Sequence, residues 1–179
     1  MKHLVEKYLS RTTVYQGKAV NFRVDTVRLP DGRTATREYL DHPGAVAVIP
    51  FISKDTILLV RQYRHPVGEV TLEVPAGKLD KGEKPRACAK RELEEETGHR
   101  AKKIVALNTF WPTPAFANEV IHIFAATELL PTATNPDEDE FIDAVSMKYA
   151  TALAMIRRGT IRDAKTVIAL LLWNALHSK

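Results

Sequence analysis

Residues 77–99 read GKLDKGEKPRACAKRELEEETGH and carry the strongest structural signal in this chain of 179 residues. Proline is favoured at the first position of a helix and glycine just past its end. Pro85 and Gly98 therefore predict a helix from Pro85 to Thr97. That helix carries four glutamates among residues 92–96. This acidic run is the feature of the sequence that is most informative about function.

Spacing places Glu92 and Glu96 one turn apart on a single helix face, with Glu95 at its edge. Like charges at this spacing destabilise an isolated helix by about 0.2–0.5 kcal/mol per pair, so the fold must offset them. A Mg²⁺ ion does so, because it accepts carboxylate and carbonyl oxygens. The alternative, for such a run alone, is an ordinary solvated face.

The surroundings of the run follow a longer pattern: a glycine, five residues, a glutamate, seven residues, then Arg-Glu-Leu-x-Glu-Glu-x-Gly. This arrangement resembles the Nudix box, which makes the solvated face the weaker interpretation. One position departs from the box, because its final aliphatic residue is His99 here. The departure concerns local packing rather than chemistry. The matching positions are Gly77, Glu83, Arg91, Glu92, Leu93, Glu95, Glu96 and Gly98.

The resemblance implies a role for each matching side chain. Glu92 and Glu96 are expected as the principal metal ligands, and Glu95 as a supporting ligand with a part in catalysis. The carbonyl of Ala76 is expected to complete the inner shell of a Mg²⁺ ion, with Mn²⁺ as a substitute. Arg91 is expected to be one of the catalytic residues and to orient the carboxylates through ion pairs. Glu83 is expected to contact these residues without binding the metal ion itself.

Three further segments resemble the ADP-ribose pyrophosphatase branch of the family: residues 60–64 with 72–77, residues 114–119 and residues 159–166. The middle segment departs from the branch pattern at Ala115 and Asn118. The resemblance implies Mg²⁺-dependent hydrolysis of ADP-ribose to AMP and ribose 5-phosphate. The alternatives are a Nudix hydrolase of another nucleoside diphosphate sugar such as GDP-mannose, one acting on an oxidised nucleoside triphosphate, and a non-catalytic module that senses ADP-ribose.

Substrate-binding residues follow from the same resemblance. Arg64 and Arg37 are the candidates for phosphate, because a planar guanidinium donates two parallel hydrogen bonds to it. Glu73 is assigned to the substrate site as well. Phe116 is a candidate for stacking on adenine, as is Phe22, although either also suits the core.

A hydrolase also needs a group that takes a proton from the attacking water. Relatives in the family place this carboxylate on an acidic loop, which matches the run from Pro131 to Asp139 and the residues just after it. Glu140, beside two apolar residues, is the first candidate for the catalytic base, and Glu138 is the second. The alternative is an exposed acidic turn.

Apolar periodicity predicts an α/β or α+β fold with helices on both sides of a mixed sheet, the α/β/α sandwich that the resemblance implies. A Pro-Asp-Gly turn between β-prone runs predicts a small antiparallel sheet near the N-terminus. Strands are predicted at 45–49, 57–60, 105–109 and 120–127. Two helices are predicted to follow the acidic loop, the first stopping at Gly159 and the second starting behind Asp163 as its N-cap. We divide the chain into an N-terminal sheet region, 1–41, for dimerisation and substrate, and a Nudix domain, 42–179.

Composition limits the partners and the compartment. Cys88 is the only cysteine, which excludes internal disulfides and cysteine zinc clusters and favours a reducing, cytoplasmic setting. The net charge of +4 is spread without a basic stripe, so nucleic-acid binding is not expected. No apolar run is long enough to cross a bilayer. The expected partners are a small nucleotide conjugate and, by resemblance, a second copy of the chain in a homodimer.

Overall fold

The structure is a computed structural model that describes residues 2–135 and 140–177. Contacts divide the chain into two compact units. The first unit comprises the residues up to Gly44 together with Trp111–Val120, and the second comprises Ala45–Phe110 and the residues from Ile121 onward. None of the helices in the described residues has the length and apolar character needed to cross a membrane.

The first unit is a three-stranded antiparallel sheet in the order β1-β2-β3. Gly32 closes the turn between the last two strands with a positive φ of 91° and an N–H bond to the Leu29 carbonyl of 3.0 Å. The predicted small sheet is confirmed, and it contains a third strand, β1, besides the two strands that flank the predicted turn. The strands are β1 (Lys7–Gln16), β2 (Asn21–Arg28) and β3 (Thr34–Asp41).

The second unit is built on a seven-stranded mixed sheet with the order β10-β5-β4-β9-β8. Only the β4–β9 pair is parallel among the described strands, while β6 pairs antiparallel with β5, and β7 with β4. Its strands are β4 (Ala45–Ser53), β5 (Thr56–Arg64), β6 (Glu69–Glu73), β7 (Ala76–Lys78), β8 (His99–Phe110), β9 (Ile121–Pro131) and β10 (Ile142–Lys148).

Helices cover both faces of this sheet because the inner strand β4 is apolar on both sides. Val46 and Val48 pack with Leu93 on one face, whereas Ala47 and Leu170 belong to the core on the other. The predicted α/β/α sandwich with a mixed sheet is therefore confirmed. The helices are α1 (Pro85–Thr97), α2 (Tyr149–Arg157) and α3 (Ala164–His177), and short 3₁₀ turns occur at Lys2–Leu4 and His65–Val67.

Local signals placed the helices well and the strands less well. α1 has the predicted bounds, and Gly98 ends it in the left-handed conformation at φ 64°. The predicted strands at 105–109 and 120–127 are too short, since β8 and β9 are twelve and eleven residues long. Pro131, predicted in the acidic loop, is the last residue of β9. The strands β6, β7 and β10 were not predicted, because none of them carries a long apolar run.

Candidate active site

The box helix α1 lies against the short strand β7. Ala76 pairs with Ala47 of the central strand β4, which fixes β7 in the sheet. The Ala76 N–H donates a hydrogen bond of 3.1 Å to Oε2 of Glu96. The Glu92 carboxylate occupies the space where a Cβ on Gly77 would stand. Both carboxylates therefore face the strand.

Burial sets the electrostatic state of these two glutamates. Glu92 is 8% exposed and Glu96 is 5% exposed, so neither belongs to a solvated face. Burial raises the pKa of Glu92 to about 7, against the opposing charge and hydrogen bond of Arg91. Burial and repulsion from Glu92 raise the pKa of Glu96 to about 8, against the Ala76 N–H. The surrounding protein therefore compensates the ionised form of this pair only incompletely.

Arg91 is the main positive charge beside the box carboxylates. Its Nη1 lies 2.8 Å from Oε1 of Glu92 and 2.9 Å from Oε2 of Glu95. Its Nε and Nη2 donate to Glu83 at 3.1 and 3.0 Å. The Arg91 hydrogen bond is the largest influence on Glu83 and lowers the pKa of that carboxyl to about 2. The guanidinium thus ties three glutamates of the box together.

The donor set suits a hard divalent cation. Glu92, Glu95, Glu96 and the carbonyl of Ala76 are all oxygen ligands of the kind that Mg²⁺ prefers. Glu92 and Glu96 are buried and repel each other, which a cation would relieve. Among the described residues, no group of three or more Asp, Glu, His or Cys side chains is arranged so that it could hold a metal ion by itself. Mg²⁺ does not require one, because it usually keeps waters and substrate phosphate as ligands.

Of the two candidate catalytic bases, Glu140 lies among the described residues. Glu140 is half-buried just before β10, and its charge contributes to the raised pKa of both Glu92 and Glu96. It therefore lies within electrostatic range of the box carboxylates. The second candidate, Glu138, lies outside the described residues.

A second charged cluster surrounds Glu73 at the end of β6. Arg64 donates to Glu73 through Nε at 2.8 Å and Nη2 at 2.7 Å. Thr71 and Lys165 donate to the same carboxylate. Arg64 and Glu73 line an open cleft of about 620 Å³. The remaining lining residues are Pro66, Val67, Glu69, Thr71, Arg162 and Asp163.

Comparison with known proteins identifies the family. The NUDIX domain model matches residues 41–170, which is most of the chain. The chain belongs to the Nudix family. A second family model, described as the nucleoside diphosphate sugar hydrolase N-terminal domain, matches residues 6–40 of this Nudix chain.

Individual proteins and a solved structure are also similar to this chain over most of its length. The ADP-ribose pyrophosphatase of Bacillus subtilis is 41% identical over 172 residues, which cover 95% of this Nudix chain and 93% of the relative. The methanol dehydrogenase activator of Bacillus methanolicus is 45% identical over 166 residues, or 92% and 90% of the two chains. A crystal structure of an ADP compounds hydrolase shares the Nudix fold with a TM-score of 0.83, at 24% identity and 97% and 96% coverage.

Two predicted substrate residues of the Nudix chain lie in the first unit. Arg37 on β3 forms an ion pair with Glu6 and is about half exposed, at 48% of its side chain. Phe116 is 57% exposed, and its carbonyl accepts a hydrogen bond of 2.9 Å from the Leu40 N–H. Phe116 is therefore not a core residue of that unit. Asn118, one of the departures from the branch pattern, bonds to Asp41 and to the His42 N–H.

The Glu73 cluster of this Nudix domain contains one side chain for which no role was predicted. Lys165 contacts both Glu73 and Asp163, yet it received no role. Asp163 was predicted to cap α3 and does so, accepting from the Thr166 N–H at 3.0 Å. The segment 159–166 resembled the ADP-ribose pyrophosphatase branch, and a lysine in the first turn of a helix is unusual enough to be a signal.

Proposed function

We propose that the chain hydrolyses the diphosphate bond of ADP-ribose to AMP and ribose 5-phosphate with Mg²⁺ as its cofactor. The observation that supports the reaction is the buried, mutually repelling pair Glu92 and Glu96 beside Ala76. The choice of ADP-ribose follows the relative of that name, which is 41% identical over 95% of the chain.

Glu92, Glu96 and the carbonyl of Ala76 would hold the ion, and Glu95 would support it. Mn²⁺ offers the same preference for oxygen ligands and is expected to substitute. When bound, the ion supplies positive charge that offsets the charge of the diphosphate. Arg91 keeps the carboxylates of Glu92 and Glu95 close together through its Nη1 contacts of 2.8 and 2.9 Å.

The chain's own groups then bind the substrate and move a proton. Arg64 presents a partly exposed guanidinium that suits a phosphate oxygen, because charge-assisted hydrogen bonds to phosphate are strong. The Glu140 carboxylate takes the proton of the attacking water, as a base within electrostatic range of the box. Glu138 is the second candidate for this proton.

We propose that Arg37 and Phe116 of the first unit also bind substrate. Arg37 and Phe116 are exposed enough to contact a ligand, the first by charge and the second by stacking on a base. The Arg37 pair with Glu6 is at the surface, where an ion pair contributes little and can be exchanged for a phosphate.

We also propose a homodimer formed through the first unit. Every residue of the edge strand β1 is exposed, including Tyr8 at 56%, Val14 at 59% and Tyr15 at 63%. A long edge strand with exposed apolar side chains is a ready surface for pairing with another strand. The single cysteine favours a cytoplasmic setting.

A second candidate function is activation of a dehydrogenase by hydrolysis of a related dinucleotide. It is favoured by the 45% identity to the relative named a methanol dehydrogenase activator. A nicotinamide dinucleotide contains the same kind of diphosphate bond as ADP-ribose, so one site serves either substrate.

One panel of substrates distinguishes these functions. Purified chain is incubated with Mg²⁺ and ADP-ribose, NAD, GDP-mannose or a nucleoside triphosphate, and the products are separated. AMP and ribose 5-phosphate from ADP-ribose, at the highest kcat/KM of the panel, support the proposal, whereas pyrophosphate release from the triphosphate as the main reaction contradicts it. Binding of ADP-ribose without turnover would instead indicate a sensing module. Repeating the reaction in H₂¹⁸O places the label in AMP or in ribose 5-phosphate and so identifies the phosphorus attacked.

A further inference from the structure

Glu73 is a buried carboxylate surrounded by donors. It is 1% exposed, and each of its oxygens accepts from the Arg64 guanidinium, at 2.8 and 2.7 Å. Lys165 and Thr71 donate to the same carboxylate. Burial raises its pKa, but the bonds from Arg64 and Lys165 outweigh burial and lower the pKa to about 2. Glu73 is therefore an anion fixed within the protein, and its oxygens are already engaged.

The Lys165 ammonium is held by two carboxylates. Lys165 lies in the first turn of α3, where the helix dipole disfavours a positive charge. Glu73 and Asp163, the latter at 2.9 Å, hold its ammonium there, and its side chain is only 14% exposed. Asp163 is itself anchored, because its Oδ2 accepts from the N–H and the hydroxyl of Thr166 at 3.0 and 2.6 Å.

The geometry leaves one edge of Arg64 available. Its Nε and Nη2 face Glu73, and within residues 2–135 and 140–177 its Nη1 donates no hydrogen bond. The side chain is 40% exposed at the cleft, and Glu96 of the box lies within electrostatic range of it. A two-point contact to a carboxylate fixes the plane of a guanidinium, so the available edge has a defined direction.

Lys165 connects the two carboxylates that attract this arginine. Asp163 also attracts Arg64 electrostatically, as its charge helps to raise the pKa of the guanidinium. Lys165 contacts both Asp163 and Glu73, and among the described residues it is Glu73 of these two carboxylates that accepts hydrogen bonds from Arg64.

We propose that Glu73 and Lys165 are positioning residues, which hold the Arg64 guanidinium in the orientation that binds the substrate phosphate. The inference rests on the proposed function for the identity of the ligand. It changes the role expected for Glu73, which acts through Arg64 rather than by touching the substrate.

The first test needs no substrate. In the ¹H–¹⁵N spectrum of the full chain, the Arg64 Nε–H signal reports its bond to Glu73. Lys165→Met keeps the length of the side chain and removes the charge, so we expect this signal to shift and to exchange faster with water. The control is Lys148→Met, which breaks an exposed pair with Asp55 of 2.9 Å and should leave the Arg64 signal unchanged. An unaltered Arg64 signal in Lys165→Met overturns the proposal, whatever the substrate is.

The second test measures binding and turnover. Lys165→Met should raise the KM for ADP-ribose and its dissociation constant in EDTA by about tenfold, as for the loss of one charge-assisted hydrogen bond. The kcat should stay within about twofold, because the phosphate charge is present before and during reaction. In the Arg64→Ala background the same substitution should have little effect, since no guanidinium remains to be positioned.

The same set of variants distinguishes a loss of positioning from a failure to fold and from a direct effect of Lys165 on the substrate. If Lys165→Met does not fold, Glu73→Gln takes its place. This variant keeps the shape of the side chain and should also raise the KM for ADP-ribose. An equal effect of Lys165→Met with and without Arg64 overturns the proposal, because Lys165 would then act alone. A wild-type chain that binds no ADP-ribose contradicts the proposed function, and the Arg64 signal still decides the inference.

Discussion

The Glu92 carboxylate lies over the Cα of Gly77, in the space that the Cβ of any larger residue at position 77 would fill. The obstructing atoms belong to the end of a flexible side chain rather than to backbone. A larger residue can therefore be accommodated only if the carboxylate of Glu92 moves. This contact links the glycine of the box to the position of one proposed metal ligand.

Gly77→Ala is accordingly expected to damage activity much more than stability. Displacing a ligand by about 1 Å can cost about a hundredfold in rate, so kcat/KM should fall by about that factor. The free energy of unfolding should change by less than about 1 kcal/mol. Steady-state kinetics and urea denaturation measure the two effects.

Gly159→Ala is the matched control, with the reverse pattern expected. Gly159 has φ 70° and open space around its Cα, so alanine there is strained without touching the box. It should cost about 1 kcal/mol of stability and leave kcat/KM unchanged. Full activity of Gly77→Ala would show that the Glu92 position is not critical.

Glu92→Gln and Glu96→Gln should each abolish Mg²⁺-dependent turnover while the chain stays folded. Each substitution removes one proposed ligand, and it also removes a buried, poorly compensated charge. Above about pH 8, where both carboxylates are ionised in the folded chain, the metal-free melting temperature should therefore rise, by about 2–4 °C for each kcal/mol gained. Glu94→Gln on the same helix is the control, because Glu94 pairs with Arg100 at 2.8 Å and should leave turnover intact. Wild-type activity in both box variants would dismiss the metal assignment.

The stability of the metal-free chain should fall as pH rises from about 5 to about 8. Glu92 and Glu96 have ordinary pKa values of 4.5, raised in the folded chain to about 7 and about 8. Between these values the folded state holds more protons than the unfolded state, so raising the pH favours unfolding. Burial lowers the pKa of His122, which acts in the opposite direction below its ordinary value of 6.5. The clearest window therefore lies above that pH.

Urea denaturation in EDTA and in excess Mg²⁺ tests this dependence. The proposed Mg²⁺ ion would bind the ionised carboxylates of the folded state, so its stabilising effect should grow with pH. Glu96→Gln should flatten the metal-free curve, because it removes the group with the higher pKa. A metal-free stability that rises steadily across the window would contradict the assigned shifts.

The helix and its carboxylate face could be predicted from sequence because the signals are local. Pro85 and Gly98 mark the two ends of α1, and the helical period puts Glu92 and Glu96 on one side. Their burial could not be predicted in the same way. It depends on β7, whose three residues Ala-Gly-Lys have no strand pattern and pair with a strand about thirty residues earlier in the chain.

The cluster around Glu73 shows the same limit more strongly. Lys165 and Glu73 are 92 positions apart in the chain, so no local pattern connects them. They meet because the start of α3 lies near the end of β6, where the Val74 N–H donates to the Thr166 hydroxyl at 2.9 Å. A resemblance marks both segments as important, but only the tertiary contact relates them to Arg64.

Glu140→Gln should lower kcat by about 10²–10⁴-fold, the contribution of a general base. The KM should change little, because a proton acceptor acts in the transition state and not in substrate binding. Asp143→Asn is the control, since Asp143 is an exposed carboxylate on the adjoining strand β10. Glu138→Gln is measured in parallel. A normal kcat for Glu140→Gln with a low one for Glu138→Gln would transfer the role to Glu138.

Val14→Lys should convert a wild-type dimer into a monomer. A lysine on an edge strand opposes pairing with another chain, because its charge would have to leave water. Val14 is 59% exposed on β1, so the isolated chain should tolerate the change. Val70→Lys is the matched control, since Val70 is 64% exposed on β6 of the other unit and should leave the dimer intact. Light scattering after size exclusion measures each mass, and a wild-type mass of one chain would refute the dimer.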